Sequence, residues 1–259
     1  MVDIAEIKDL ALYVKDLTKQ GEEGLYGKAG LCDVSFSFEK KGIHCILAPK
    51  NSGKTQLMDI LAGCDRADGG EAYVYGADIL GDTEAKKRMG YLREEDALYP
   101  DMTADEIMSF VGETKKVESS KLYRQIKEAL ELVGLDGVKN KLVKNMTDYD
   151  CKKLSLAAAL LGNPDILLLD EPITKRLIGE RRDELEGLVR MLGKMKPVIL
   201  TTDDYKLARS LGKDVVIISD GKVLAKGSFD ALEEKLASSE QHTTLEALYN
   251  SLTAASAER

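Results

Sequence analysis

Residues Ala48-Pro49-Lys50-Asn51-Ser52-Gly53-Lys54-Thr55 decide the reading of this chain. They follow an apolar run over 42–47 that reads as a strand. After them comes a stretch from Lys54 to Ala62 in which Leu57, Ile60 and Leu61 share one helical face. Gly63 suits the C-terminal cap of that helix. A loop between strand and helix that closes on Gly-Lys-Thr has the layout of a phosphate-binding loop. Successive backbone N–H groups and the helix N-terminus cradle phosphate oxygens in such loops. Lys54 is then placed to reach the outer phosphates, and the Thr55 hydroxyl to ligand Mg²⁺. Two glycines of the usual pattern are replaced: Ala48 stands at the first, and Asn51 fills an interior position. Asn tolerates positive φ better than other non-glycine residues, so the loop can still close. The alternative is a chance Gly-Lys-Thr at a helix start.

A second stretch bears on that alternative. Ile166-Leu167-Leu168-Leu169-Asp170-Glu171 reads as a buried strand ending in two carboxylates. In phosphate-loop ATPases the first such carboxylate holds Mg²⁺ through its water shell, and the second orients the attacking water. By itself the stretch is also a core strand running into a charged turn. Its pairing with the Lys54 loop, at this separation and with a helical insertion between, favours the ATPase reading.

The rest of the chain fits an α/β architecture in which parallel strands are covered by helices. Asp68-Gly69-Gly70 is a turn leading into a run over 71–75. Helices are expected over 121–133, 152–161 and 180–192, and a strand over 198–202. A hairpin centres on Asp220-Gly221. The predicted organisation is one domain: a core of residues 1–92 and 151–230, an inserted, mostly helical subdomain at 93–150, and a helical tail at 231–259. The tail carries helical patterns over 231–236 and 245–252.

The net charge of −8 argues against a general nucleic-acid binder, which needs a basic face. Cys32, Cys45, Cys64 and Cys151 show no metal or dithiol spacing and read as reduced thiols. No signal-peptide pattern opens the chain, and its apolar runs are too short to cross a bilayer. A soluble, cytoplasmic chain is therefore expected, with membrane contact only through partners. His44 and His242 suggest no catalytic role, and His44 reads as a core or edge residue within an apolar strand.

With these motifs in place, the chain resembles the ATP-binding cassette (ABC) family over nearly its whole length. Asp33-Val34-Ser35-Phe36 is similar to the family's N-terminal strand. Gly90-Tyr91-Leu92 and Ala97-Leu98-Tyr99-Pro100-Asp101-Met102-Thr103 are similar to the surroundings of its glutamine loop. Leu154-Ser155-Leu156-Ala157, Asp170-Glu171-Pro172 and Ile218-Ser219-Asp220-Gly221-Lys222-Val223 also match. The resemblance implies a phosphate-loop ATPase core with an N-terminal antiparallel β portion and the inserted helical subdomain. It implies ATP and Mg²⁺ as ligands, with a second, intact ABC ATPase subunit and transmembrane permease subunits as partners. The chain would then sit peripherally on the cytoplasmic face of the membrane. The Leu98 to Thr103 wording is similar to separate ATPase subunits of exporters.

The resemblance assigns nucleotide contacts to Ala48, Pro49, Lys50, Asn51, Ser52, Gly53, Lys54, Thr55 and Gln56, with Tyr26 stacking on adenine. It assigns Thr55, Asp170 and Glu94 to the metal, and Glu171 to water orientation. Other positions depart from the family pattern. Glu94 stands for the glutamine of the glutamine loop. Met146-Thr147-Asp148-Tyr149-Asp150 replaces the signature Leu-Ser-Gly-Gly-Gln, Leu177 replaces an aspartate, and Asp203 replaces the switch histidine. The family signature caps the γ-phosphate held by the opposite subunit, through N–H groups that need glycine for close approach. Tyr149 adds bulk there and Asp148 adds charge; like unit charges about 4 Å apart repel by roughly 4 kcal/mol at an effective dielectric near 20. The expectation is a degenerate cassette that binds Mg-ATP and, in isolation, hydrolyses it weakly or not at all. Two alternatives stand beside it: an active homodimeric ATPase, and a soluble cassette protein without a membrane partner.

Overall fold

A computed structural model describes residues 4–21, 29–95, 98–237 and 244–257. In chain order, a short helix α1 (Ile4–Ile7) precedes strands β1 (Leu10–Lys19), β2 (Leu31–Glu39) and β3 (Ile43–Leu47). Helix α2 (Lys54–Ala62) follows, then strands β4 (Gly69–Val74) and β5 (Ala77–Asp78), helix α3 (Thr83–Lys86) and strand β6 (Met89–Leu92). Three helices come next: α4 (Ala104–Thr114), α5 (Ser119–Leu132) and α6 (Asp148–Leu160). The second half runs β7 (Ile166–Asp170), α7 (Glu180–Met195), β8 (Val198–Thr202), α8 (Tyr205–Leu211), β9 (Asp214–Ser219) and β10 (Lys222–Ser228). It ends with α9 (Phe229–Ala237) and α10 (Leu245–Ala257).

The strands form two sheets. One is antiparallel, in the order β2-β1-β4-β5. The other has the order β10-β9-β3-β8-β7-β6, all parallel except the β9–β10 hairpin. Strands β3, β7 and β8 are buried at every position, which explains their unbroken apolar sequences: both faces of a parallel sheet are covered. The period of two sorts the side chains. Ile43, Cys45 and Leu47 join the core under helices α4 to α7, whereas Ile46 and Ala48 join the core shared with α2 and the antiparallel sheet. His44 lies on that second side, fully buried, stacked on Phe38 at 4.7 Å and 3.2 Å from Asp214. Burial holds its pKa below the usual value against the pull of Asp214.

Several boundaries differ from the sequence reading. Helix α4 lies inside the stretch expected to be mostly helical but at positions where no separate helix is marked, and Thr103 and Glu106 form a capping box at its start. Helix α6 begins at Asp148 rather than at 152, because the Thr147 side chain accepts from Asp150 N–H and serves as N-cap. Helices α7, α9 and α10 all run further than their apolar patterns. Helix α2, by contrast, keeps its expected limits, and Gly63 takes φ +77 as the left-handed cap after it.

Candidate functional site

The site is built on the turn between β3 and α2. Ala48 is completely buried, and its N–H donates to the Thr202 carbonyl at 3.1 Å. It is not among the residues with positive φ, so alanine fits where the usual pattern has glycine. Asn51 does adopt the left-handed region, with φ +58, and Gly53 takes φ +89. A Cβ on Gly53 would lie 2.9 Å from Leu31 Cδ2 and 3.0 Å from the Gly30 carbonyl, so close packing from behind also requires glycine there. The Ser52 hydroxyl donates to the Pro49 carbonyl at 2.6 Å, and Gly221 N–H in the β9–β10 turn donates to the Ser52 carbonyl at 3.2 Å. The loop is therefore braced on its inner side. Its outer side, with Ala29 and Glu94, lines an open cleft of about 260 Å³.

Parallel pairing brings the two carboxylates to this loop. Asp170 lies opposite Thr201 in the β7–β8 register and accepts a short hydrogen bond from its hydroxyl at Oδ1. The same hydroxyl accepts from Glu171 N–H at 3.0 Å. Glu171 sits in a left-handed backbone conformation, φ +46, a strain that this anchoring sustains. Its Oε1 lies 3.2 Å from Lys54 Nζ, which also reaches the Pro49 carbonyl at 3.5 Å. The Thr55 hydroxyl donates to Glu94 at 3.4 Å. Burial pushes the Glu171 carboxyl up to about 7; Lys54 opposes the shift and Asp203 adds to it. Burial likewise raises Asp170; the Thr201 hydrogen bond and the Lys54 charge oppose the shift, and Glu94 adds to it.

Lys54, Thr55 and Glu94 thus line one cleft, and the buried Glu171 and Asp170 stand behind Lys54. Asp170 Oδ2 is buried without a hydrogen-bond partner, a polar atom left for a cation or its water. Among the described residues, no three His, Cys, Asp or Glu side chains are arranged to hold a metal. The Gln56 side chain is buried on α2 and donates to Asp65 at 3.2 Å. Gln56 nonetheless remains among the residues that line the cleft. Tyr26 lies outside the described residues.

The substituted motifs behave differently from one another. Tyr149 does not project from the signature segment: it is 8% exposed, with Lys153 Nζ 4.8 Å and Arg181 Cζ 5.5 Å from the ring centroid. The first turn of α6 aims it back at α7, so the expected bulk is absent from the outer surface. Asp148 is exposed there. The Glu94 backbone carbonyl accepts from Lys152 Nζ at 2.8 Å, tying the loop after β6 to α6. Asp203 forms an ion pair with Lys175 at 3.0 Å, and its backbone carbonyl accepts from the Tyr249 hydroxyl at 3.2 Å. The parts played by Lys152, Thr201 and Tyr249 carry no local sequence signal, since each partner lies tens of residues away.

The profile of the ABC transporter family matches residues 31–174, more than half of the chain. The chain belongs to the ABC transporter family. A molybdate/tungstate import ATP-binding protein of Methanocaldococcus jannaschii is 32% identical over 207 residues, covering 79% of this chain and 68% of that protein. A sulfate/thiosulfate import ATP-binding protein of Chromobacterium violaceum is 31% identical over 201 residues, covering 76% of this chain and 54% of that one. The chain therefore spans about half the length of that second relative. Among solved structures, an ATP-binding subunit of an ABC transporter superposes with a TM-score of 0.78 at 20% identity, over 94% of this chain and 99% of that one. A dimeric ATP-binding cassette bound to ADP and phosphate gives 0.73 at 24% identity, over 84% and 98%. The fold is thus that of the ABC ATPase cassette, an ATP-binding fold. Within it, the phosphate loop and the carboxylate pair of β7 meet as described. No helix among the described residues is long and apolar enough to cross a membrane.

Proposed function

We propose that this chain binds Mg-ATP and acts as the ATP-binding subunit of a multi-subunit ABC transporter. The observation that carries the proposal is the meeting of Lys54, with Thr55 and Glu94 paired beside it, and the buried carboxylates at the end of β7, one of which keeps an unpartnered oxygen. Backbone N–H groups of residues 50–56 and the N-terminus of α2 would receive the phosphates. Thr55 and Asp170, with Glu94 beside them, would hold Mg²⁺, which shields phosphate charge when bound. Lys54 would leave Glu171 for the outer phosphates, freeing a buried carboxyl of raised pKa to orient a water. Residues 1–92 and 151–230 form the core in this reading, with 93–150 as the helical subdomain and 231–259 as the tail. Titration of a fluorescent ATP analogue tests it: wild type should bind at least tenfold more tightly than Lys54→Ala. Equal affinities, or no binding by either, overturn the reading.

The partners in this reading are a second, intact ABC ATPase and separate permease subunits, with the chain peripheral on the cytoplasmic face of the membrane. The permease would dock near Glu94 and Tyr99, where Tyr99 and Phe110 form an exposed edge-to-face pair. Hydrolysis by the isolated chain is proposed to be very slow, because Asp203 and Asp148 place negative charge where the reaction already concentrates it. A purified homodimer turning over at about 1–10³ per second would contradict this. The wording of Leu98 to Thr103 supports export, whereas the two relatives above are import proteins by name. Transport assays in vesicles of opposite orientation distinguish the two directions.

A further inference from the structure

This inference rests on the reading that the cleft takes Mg-ATP. Asp203 follows Thr202 at the end of β8, and the pairing of Asp170 with Thr201 sets it beside the Glu171 turn. This is the carboxyl edge of a parallel sheet, where ligands bind in α/β folds. The proximity is electrostatic as well: Asp203 pushes the Glu171 carboxyl upward. Lys175, four residues beyond Glu171, returns across the turn to place its ammonium 3.0 Å from the Asp203 carboxylate. Its side chain is 61% exposed, while that of Asp203 is only 16% exposed. The lysine therefore covers the acid from the open side. Beside this pair stands the other, Lys54 with Glu171 at 3.2 Å.

We propose that Lys175 is a second phosphate-reading cation of this cleft, stored on Asp203 and handed to the terminal phosphate of a nucleoside triphosphate when one binds. Three features support it. Asp203 alone would repel a triphosphate, and an ammonium that moves in between the two turns that repulsion into attraction. A terminal phosphate carries more charge than one carboxylate and offers more acceptor oxygens, so it outcompetes Asp203 for the ammonium. Lysine is a point charge on a flexible stem, and this one is held by a single exposed ion pair among the described residues, so the transfer disturbs no packing. A diphosphate lacks the group in question. Lys175 accordingly distinguishes ATP from ADP.

Competition titrations of Mg-ATP and Mg-ADP test the proposal on wild type, Lys175→Ala, Asp203→Asn and the double variant. Loss of Lys175 should weaken ATP binding by about tenfold or more, the usual effect of losing a hydrogen bond to a charged group. ADP binding should change by less than about twofold, because Lys175 has no contact with the shorter chain. The same ATP-specific loss should appear when Lys175→Ala is made in the Asp203→Asn background. If the second mutation has no effect there, Lys175 merely neutralises the acid and the proposal fails. It fails too if ATP and ADP weaken equally. Wild-type protein that binds neither nucleotide overturns the Mg-ATP reading and this proposal together, whereas the other two failures leave that reading standing.

Discussion

The hydroxyl of Tyr249 donates a hydrogen bond to the backbone carbonyl of Asp203 at 3.2 Å, so the last helix of the chain reaches the loop beside the candidate site. Tyr249 is 1% exposed, and its ring lies 6.4 Å from that of Tyr205, which in turn meets Phe229 edge-on at 6.0 Å. Leu245 is buried in the same core. Helix α10 is thus packed against the cassette and not a loose extension. Burial and the nearby carboxylates of Asp203, Glu171 and Asp204 hold the phenol above its usual pKa, so it stays a donor at neutral pH.

Tyr249→Phe removes that donor and leaves a part-buried carbonyl unpaired. The expected cost is about 1–3 kcal/mol. In a chain of this size that lowers the melting temperature by a few degrees, as calorimetry would show. An unchanged melting temperature would show that the bond contributes nothing.

Glu171 makes stability depend on pH in a definite direction. Its folded-state pKa of about 7 lies above the ordinary 4.5, so the folded protein binds more protons than the unfolded chain between those values. Its contribution is most favourable below the unfolded value and is lost as pH rises through 7. Other raised carboxyls such as Asp170 act in the same sense, so the comparison needed is with Glu171→Gln. The melting temperature of wild type relative to that variant should fall between pH 5 and pH 8. A constant difference across that range means Glu171 is not raised.

Tyr149→Gly places a glycine at the signature position where Tyr149 stands. With Tyr149 turned inward, the change should destabilise the chain by about 3–5 kcal/mol for the lost ring. Glycine inside α6 adds about 1 kcal/mol. Asp148→Asn, on the exposed side, should stay within about 0.5 kcal/mol. Chemical denaturation of both variants checks this, and a mild Tyr149→Gly would return the side chain to the outer surface.

In a reconstituted complex with an intact partner, the two ATP pockets should be unequal. This chain's own pocket would combine Lys54, Asp170 and Glu171 with the partner's glycine cap but would have Asp203 in place of the switch histidine. The partner's pocket would face Met146 to Asp150. Glu171→Gln here should leave most ATP hydrolysis intact, while the equivalent change in the partner should abolish it. The reverse result exchanges the two roles.

Much of the fold was legible in the sequence because its signals are local. A strand, a loop closing on Gly53-Lys54-Thr55 and an amphipathic helix specify their own backbone within a dozen residues. The run over 166–170 is apolar because both its faces are buried, and the observed β7 has the same limits. The positive φ at Asn51 follows from what its side chain tolerates. Helix α4 was not marked as a separate helix, although its capping box lay in the sequence at Thr103 and Glu106, because the polar residues after Gly112 broke the apolar pattern.

The sequence alone therefore determined which backbone turns form and which residues end them. Only the tertiary structure decided where side chains point once those turns are packed. Gln56 goes to Asp65, Tyr149 to a space between Lys153 and Arg181, and Asp203 to Lys175. Lys152 grips the Glu94 carbonyl across 58 positions, and Tyr249 reaches the Asp203 carbonyl across 46. The physical reason is that a motif is a statement about neighbouring dihedral angles. A contact between distant positions depends on how whole elements stack, and on which polar atoms are left to be satisfied once they have.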